Sequence, residues 1–290
     1  MVKSEIACSA AEVQELFALR TPIRTFSGDT HRPFRIAHQN LVEVKLNIQG
    51  ILSHDVEDQV VSCRANTSIQ ELQSELARKG QCLPYLPFHL KYDGALEQVR
   101  GTVAGHLAMN LPHGYEARCG TWKSWLLGAK LILPDGLNAK SGSKAVKNVA
   151  GYDVHKFLVG SRGAFCVFTE LTLKTYPLKA LSNPDCQILR DRGPLKGAIQ
   201  RTLPVHFSKA VEAANGSLIG THRETCTLYR EIGEMSEIER TPEDWVLGWG
   251  FGNGNLEPRG EATARYLRLT KQMFDPCSVL NPGEFGESRE

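Results

Sequence analysis

The run "AFCVFTELTLKTYP", Ala164 to Pro177, limits more than any other what this chain can fold into. Its β-branched and aromatic residues favour a long strand over a helix. Directly before it stands "KNVAGYDVHKFLVGSRG", Lys147 to Gly163, whose glycines at Gly151, Gly160 and Gly163 fit no standard phosphate-loop spacing. Within it, Tyr152 to Val159 is expected to make one or two helical turns. A long strand entered through glycine turns and a short helix points to the α+β class.

Elsewhere the signals alternate between the two periods. Ser9 and Glu12 make a capping box for a short helix carrying Val13, Leu16, Phe17 and Arg20, which ends before Pro22. Strands are expected at Ile23–Phe26, Leu41–Leu46 and Asp58–Arg64. Thr67 with Gln70 reads as a second capping box, Ile69, Leu72 and Leu76 share one helical face, and Gly80 suits the C′ position, so a helix is predicted over Ser68–Lys79. "LPYLP" runs extended because proline restricts its predecessor. A strand at Leu126–Leu133 closes in "PDG" and returns at Leu137–Lys140. From Leu181 to about Asn255 a single apolar strand, within "DWVLGWGFG", stands out. The tail "RGEATARYLRLTKQMFDP" reads as a helix with Ala264, Leu267 and Met273 inward. The expected organisation is a first domain over 1–178, a reduced second domain over 179–257 and a C-terminal helix with its closure over 258–290.

Charge and cysteine placement exclude several function classes. The net charge of +2 comes from 34 basic and 32 acidic residues in mixed order, which gives no footprint for nucleic acid. The eight cysteines form no C-x-x-C pair, so zinc, an iron–sulfur cluster and a disulfide framework lack a basis. No apolar run approaches a membrane span and acidic residues interrupt the start, so the expected location is cytoplasmic, with membrane association only through partners. "GFGNGN" is G-x-G-x-G with no helix after it, and "SGSKAVKN" lacks the first glycine of a Walker loop. His-pair zinc motifs and the G-x-S-x-G elbow are absent from the sequence, and no metal ligand is assigned.

Small-residue loops remain, each beside a strand: "SGDTH" (27–31), "GTVAGHLAMN" (101–110) and "GSRGAF" (160–165). Glycine lets backbone approach a ligand, and successive N–H groups make an anion nest. Together, with a helix N-terminus at the second loop, they suggest a long phosphorylated cofactor.

In this order the motifs resemble the FAD-binding PCMH-type domain of the vanillyl-alcohol oxidase and p-cresol methylhydroxylase superfamily, and within it the FAD-binding subunits of bacterial glycolate oxidases. "FSGDTH" matches the R-G-G-G-T-K pyrophosphate loop, "TVAGHLAMN" the T-I-G-G-x-V-A-x-N segment, and "RCGTWKSWLLGAKLILPDG" the Y-G-x-x-R-D-x-x-L-G and V-L-P-D-G pair. "KNVAGYDVHKFLVGSRGAF" follows the K-N-x-A-G-Y-D hallmark, and "FDPCSVLNPGEF" resembles the F-D-P and N-P-G closure of the hydroxy-acid oxidases.

The resemblance implies FAD, held by Ser27, Gly28, Asp29, Thr30 and His31, by Gly101, Thr102, Val103, Ala104, Gly105, His106 and Asn110, by Gly120, Thr121 and Lys123, and by Gly151, Tyr152, Asp153, Gly160, Gly163 and Val167. It implies a PCMH-type fold of two α/β subdomains, a reduced cap and a C-terminal helix returning to the FAD domain. The implied reaction is hydride transfer from a 2-hydroxy acid to the flavin, in a glycolate or lactate oxidase or dehydrogenase complex with a second flavoprotein subunit and an iron–sulfur subunit. Catalytic residues are not assigned; Lys147, His106 and His113 are candidates only. Departures from the pattern are Ser27, Asp29 and Cys166 for glycines, Ala104 for another, and Lys123-Ser124 for Arg-Asp. They leave a second reading open, a non-catalytic structural subunit with weak or no FAD binding.

Overall fold

The computed structural model describes residues 3–28, 41–85, 101–110, 113, 115–143, 153–181, 197–202, 217–222, 225–231, 245–249 and 261–285. Near the N-terminus, β1 (Lys3–Ala7), α1 (Ala10–Ala18), β2 (Ile23–Phe26) and β3 (Val42–Leu46) build a three-stranded parallel sheet in the order β1-β3-β2. The Ser9 hydroxyl accepts from Glu12 N at 3.2 Å while the Glu12 carboxylate reaches back to Cys8 N at 2.7 Å, so the first turn of α1 is capped in both directions. Val13 and Phe17 on its buried face meet Val44, Ile48, Val279 and Leu280 in one core.

A second, antiparallel sheet has the order β4-β5-β9-β7-β8, from β4 (Ile51–Asp55), β5 (Val60–Arg64), β7 (Leu126–Ile132), β8 (Asn138–Gly142) and β9 (Val167–Lys174). Along β9 the side chains at Val167, Thr169, Leu171 and Leu173 are buried, and the strand is central. Its main-chain ladder stops at Thr175, and β10 (Tyr176–Pro177) turns off to pair with β6 (Gln81–Cys82). Ala164, Phe165 and Cys166 precede the strand as loop, although the sequence pattern included them in it.

Between these elements lie α2 (Ile69–Arg78), α3 (Val103–Met109), the single turns α4 (Glu116–Cys119) and α5 (Trp122–Trp125), and α6 (Val154–Phe157). Ile69, Leu72 and Leu76 of α2 are fully buried in the second core with Val103, Leu107, Trp122 and Trp125; each such burial is worth about 1.5–3 kcal/mol. The cap of α2 is Ser68, which accepts from Glu71 N at 3.0 Å, one residue beyond the expected Thr67. Thr67 is engaged otherwise: its hydroxyl donates to Gly50 O at 3.1 Å and accepts from Gly50 N at 3.0 Å. Both residues satisfy the cap pattern, and this tertiary bond selects Ser68.

The region 181–255 holds more strand than its sequence suggests. β11 (Gly197–Thr202), β12 (Ser217–His222), β13 (Thr225–Glu231) and β14 (Trp245–Trp249) form an antiparallel sheet ordered β12-β13-β11-β14. Only β14 has a continuous apolar signature; the others mix Thr, Gly, Gln and charged residues, which period-based reading passes over. "GFGNGN" lies outside the described residues. β1 and β4 were likewise not expected, since "KSEIA" and "ILSHD" carry polar residues at alternating edge positions.

Finally α7 (Glu261–Phe274) packs through Ala264 and Lys271, whereas Met273 is 81% exposed, opposite to the expected inward placement. The helical stripe from Ala264 passes through 267, 271 and 274, and at 271 it carries a lysine. After α7, residues 279–281 run parallel beside β2: Ile23 N donates to Val279 O and Asn281 N to Ile23 O, both at 2.7 Å.

Candidate functional site

Loops at three strand and helix ends converge, and the contacts that join them are short. β2 ends in Ser27 and Gly28. The Ser27 hydroxyl lies 2.7 Å from the hydroxyl of Thr102, the N-cap of α3, which also accepts from Gly105 N at 3.2 Å. Gly28 sits so close to the second loop that a Cβ on it would stand 2.6 Å from Gly101 Cα. Any larger residue there pushes the two backbones apart, so the glycine is required by the approach itself.

At its other end α3 reaches the third loop. Gly160 N donates to Leu107 O at 3.1 Å and Arg162 N to Ala108 O at 2.9 Å. Asn110, in the left-handed region at φ 48, closes α3 beside Gly160, and Gly160, Arg162 and Gly163 all have positive φ (84, 57 and 72). Such clustering of left-handed backbone, including a non-glycine, is characteristic of functional turns. Asn110 Oδ1 and Ser161 Oγ are buried there with no hydrogen-bond partner. Unsatisfied buried polar atoms are costly, and here they border the loop junction, where a polar ligand group would satisfy them.

The expected site residues divide on this geometry. Ser27, Gly28, Gly101, Thr102, Gly105, Asn110, Gly160 and Gly163 come together. Asp29, Thr30, His31, Gly151 and Tyr152 lie outside the described residues, as does Lys147. Val103 and Ala104 face the core, and Ala104 N donates to Ala65 O at 2.8 Å, so alanine fits its helical place without needing glycine's freedom. Val167 is buried with Ile132 between the sheets. Gly120, Thr121 and Lys123 stand at the α4–α5 corner, with Gly120 O accepting from His113 Nε2 at 3.0 Å and Lys123 exposed.

Two candidate bases prove to be interior groups. His106 and His113 are each 1% exposed and pack around Tyr85, whose hydroxyl shares a 2.5 Å hydrogen bond with His106 Nδ1. Trp122 and Trp125 complete this aromatic cluster, with Trp122 4.9 Å from the Tyr85 ring. The bury-and-bond pattern fits a structural role for both histidines. Cys166, where the family pattern has glycine, is 2% exposed inside the second core, and burial alone raises its thiol pKa. Its side chain points to the core.

Near the third loop, Asp153 at the start of α6 holds Lys156 Nζ at 2.7 Å, and this hydrogen bond chiefly keeps its carboxyl below the usual range. Behind it His155 is buried, bonded through Nδ1 to the Ser141 hydroxyl at 2.8 Å. Burial lowers its pKa, and the Asp153 carboxylate, 4.0 Å from Nε2, offsets this only in part.

Sequence reasoning missed Thr25, and it named the 160–165 loop and the N-P-G closure without singling out Ser161 or Asn281. Asn281 Oδ1 accepts from Thr25 N at 2.8 Å, while Nδ2 donates to Gly163 O at 2.8 Å and to Thr25 Oγ1 at 3.1 Å. The N-P-G motif signalled the residue without its partners, since they are far off in sequence.

Against known proteins, residues 6–140 match the family model described as "FAD binding domain", which takes in the first two loops. The chain is 23% identical to glycolate oxidase subunit GlcE of Escherichia coli over 94% of its own length and 95% of that protein. It is 30% identical to a D-lactate dehydrogenase of Archaeoglobus fulgidus over 43% of its length, an alignment that spans 26% of that enzyme. Among solved structures, an alkyldihydroxyacetonephosphate synthase superposes with a TM-score of 0.54 at 11% identity, covering 96% of this chain and 75% of that one. That likeness extends the common fold to nearly the whole chain. Among the described residues, no helix is long and apolar enough to cross a membrane.

Proposed function

We propose that the chain, whose residues 6–140 match the FAD binding domain family, is a PCMH-type flavoprotein and a subunit of a 2-hydroxy-acid oxidase or dehydrogenase acting on glycolate or lactate. Its FAD would lie across the junction of the loops at Ser27–Gly28, Gly101–Gly105 and Gly160–Gly163. The observation that carries this is the backbone contact of Gly28 with Gly101, since so close an approach brings two glycine loops together with no side chain between them. The first turn of α3 is held beside this contact by its own bonds, Val103 N to Thr67 O at 3.0 Å, Ala104 N to Ala65 O at 2.8 Å and Gly105 N to Thr102 Oγ1 at 3.2 Å. Asn110 Oδ1 and Ser161 Oγ, buried without partners, support contacts to the polar part of the cofactor from the third loop.

Bound in this cradle, FAD would supply the acceptor for hydride from the substrate's α-carbon. The protein's share is to grip and orient: Ser27 and Thr102 fix the first two loops, and Gly160 and Arg162 tie the third to α3. The departures at Ser27 and Ala104 speak for retained binding, because Ser27 makes a loop-joining hydrogen bond and Ala104 sits in regular helix. The similarity to glycolate oxidase subunit GlcE over nearly the full length of both chains supports the role of one subunit among several; a second flavoprotein and an iron–sulfur subunit to carry electrons away are part of the proposal. The division into an FAD domain over 1–178, a reduced cap over 179–257 and a closing segment over 258–290 belongs to the same proposal.

The test is the visible absorption spectrum of the purified chain, before and after acid precipitation. Flavin bands that pass into the supernatant are expected, and anaerobic addition of glycolate or D-lactate to the assembled complex should bleach them. A chain that lacks flavin bands after reconstitution with FAD would overturn the proposal.

A further inference from the structure

The contacts among the loops form a closed ring with three sides. Ser27 and Gly28 meet Thr102 and Gly101; the far end of α3 meets Gly160 and Arg162; and Gly163 returns to β2 through Asn281. The first two sides are direct. The third is hydrogen-bonded through Asn281, from a segment after α7, which lies between Gly163 and Thr25.

We propose that Asn281 is a positioning residue of the flavin site, setting the separation between the Gly160–Gly163 turn and the β2 end from which the Ser27–Gly28 loop departs. The inference rests on the cradle assignment made above. Its basis is the match between the amide's chemistry and its surroundings. Asn281 N continues the ladder beside β2 by donating to Ile23 O. The next free donor on that edge, Thr25 N, is taken by the Asn281 side-chain oxygen at 2.8 Å. On the other side of the same amide, Nδ2 donates at 2.8 Å to Gly163 O. A carboxylate of the same shape could accept from Thr25 N but could not donate to Gly163 O. Asn281 is 3% exposed and at φ 43, a left-handed conformation that asparagine tolerates better than most residues.

The segment that presents Asn281 is itself anchored. Lys271 Nζ donates to Ala164 O at 2.8 Å, to Asp275 Oδ2 at 2.6 Å and to Leu280 O, while Asp275 accepts from Val279 N at 2.9 Å and Leu280 N at 2.8 Å. Both neighbours of the bridge, Ala164 after Gly163 and Leu280 before Asn281, are thus held by one ammonium group. A shift of the bridge would move the third loop against the first.

The experiment compares Asn281→Asp, Asn281→Ala and Thr25→Val with the unsubstituted full chain. FAD affinity of the flavin-free protein is read by fluorescence quenching, and the fine structure of the flavin absorption band reports how rigidly the ring is held. Thr175→Val serves as a reference, since it removes a buried hydrogen bond to Gln81 (2.7 Å) remote from the loops. The expected result is a loss of FAD affinity of about tenfold or more for both Asn281 variants, a smaller loss for Thr25→Val, and blurred flavin bands. Thr175→Val should keep wild-type affinity even where its thermal unfolding matches that of Asn281→Asp. Wild-type FAD affinity in Asn281→Asp, or equal losses in Asn281→Asp and Thr175→Val, would overturn the inference and leave the cradle intact. Should Asn281→Ala and Asn281→Asp both fail to fold, unchanged affinity and bands in Thr25→Val would overturn it. Absence of FAD binding by the unsubstituted chain would remove both proposals.

Discussion

Lys271 and Asp275, one helical turn apart across the end of α7, form an ion pair at 2.6 Å in which each residue is 1% exposed. Both charges are fully served: the ammonium reaches two carbonyls besides the carboxylate, and the carboxylate receives two backbone N–H groups. Removing one partner leaves the other buried without its countercharge, at a cost of about 3–5 kcal/mol. Lys271→Met should therefore lower the urea midpoint sharply. Met273→Lys, on the exposed side of the same helix, should move it by about 0.5 kcal/mol or less. Equal effects of the two would contradict the orientation of α7.

Gly28→Ala tests the close approach of the first two loops. With a Cβ only 2.6 Å from Gly101 Cα, the loop must shift. FAD affinity measured by fluorescence quenching should fall about tenfold or more, equivalent to 1.4 kcal/mol. Because the clash is with backbone, and Gly101 O is bonded to Ile69 N of α2, the unfolding midpoint of the flavin-free chain should fall as well; unchanged affinity and midpoint would contradict the close approach.

Acid should destabilise the protein in two stages. His155 has a folded-state pKa below its ordinary 6.5 because burial opposes the imidazolium. The unfolded chain thus takes up this proton first as pH falls, and the stability contributed by the neutral ring is full above about 6.5 and drains away below it. Asp153, held low by Lys156, contributes stability that is lost only below its ordinary 3.8, as pH falls through the depressed value. Denaturation followed between pH 7 and 5 should show a slope that His155→Gln reduces. An unchanged slope would assign the loss to another group.

Thiol labelling of the native chain should separate the described cysteines by burial. Cys8 and Cys277 are exposed, whereas burial pushes the Cys63 thiol to about 12 and Cys82 to about 11, and raises Cys166 as well. Since the thiolate is the reactive form, Cys8 and Cys277 should react with DTNB in the folded state and Cys166 only on unfolding. Rapid native labelling of Cys166 that FAD suppresses would instead place it against the cofactor.

How far such features could be read beforehand follows from how local their causes are. The Ser9 box, the Ile69–Leu72–Leu76 stripe and the left-handed Gly80 are determined within a few residues, and the folded chain keeps them. Thr67 and Ser68 both satisfy the local cap rule, and only a bond to Gly50, 17 residues away, decides between them. On α7 a hydropathy pattern assigned Met273 inward, because a lysine is rarely buried unless its charge is matched by groups the pattern does not include. In the site, glycines marked the loops themselves. What connects them, Asn281 with Thr25 and Gly163, depends on long-range pairing, and so do the weakly patterned strands β11, β12 and β13.

The strand-like run of residues 279–281 beside β2 has a consequence for how the molecule is made. Thr25 and Asn281 are 256 residues apart, so a growing chain exposes the bare edge of β2 throughout the synthesis of that interval. At ribosomal speeds this lasts on the order of 10–50 seconds. During that time the N-terminal sheet has an open parallel edge, the kind of surface that invites wrong pairing. On the cradle assignment proposed above, capture of FAD by the complete ring would wait until Asn281 has taken its place beside Thr25.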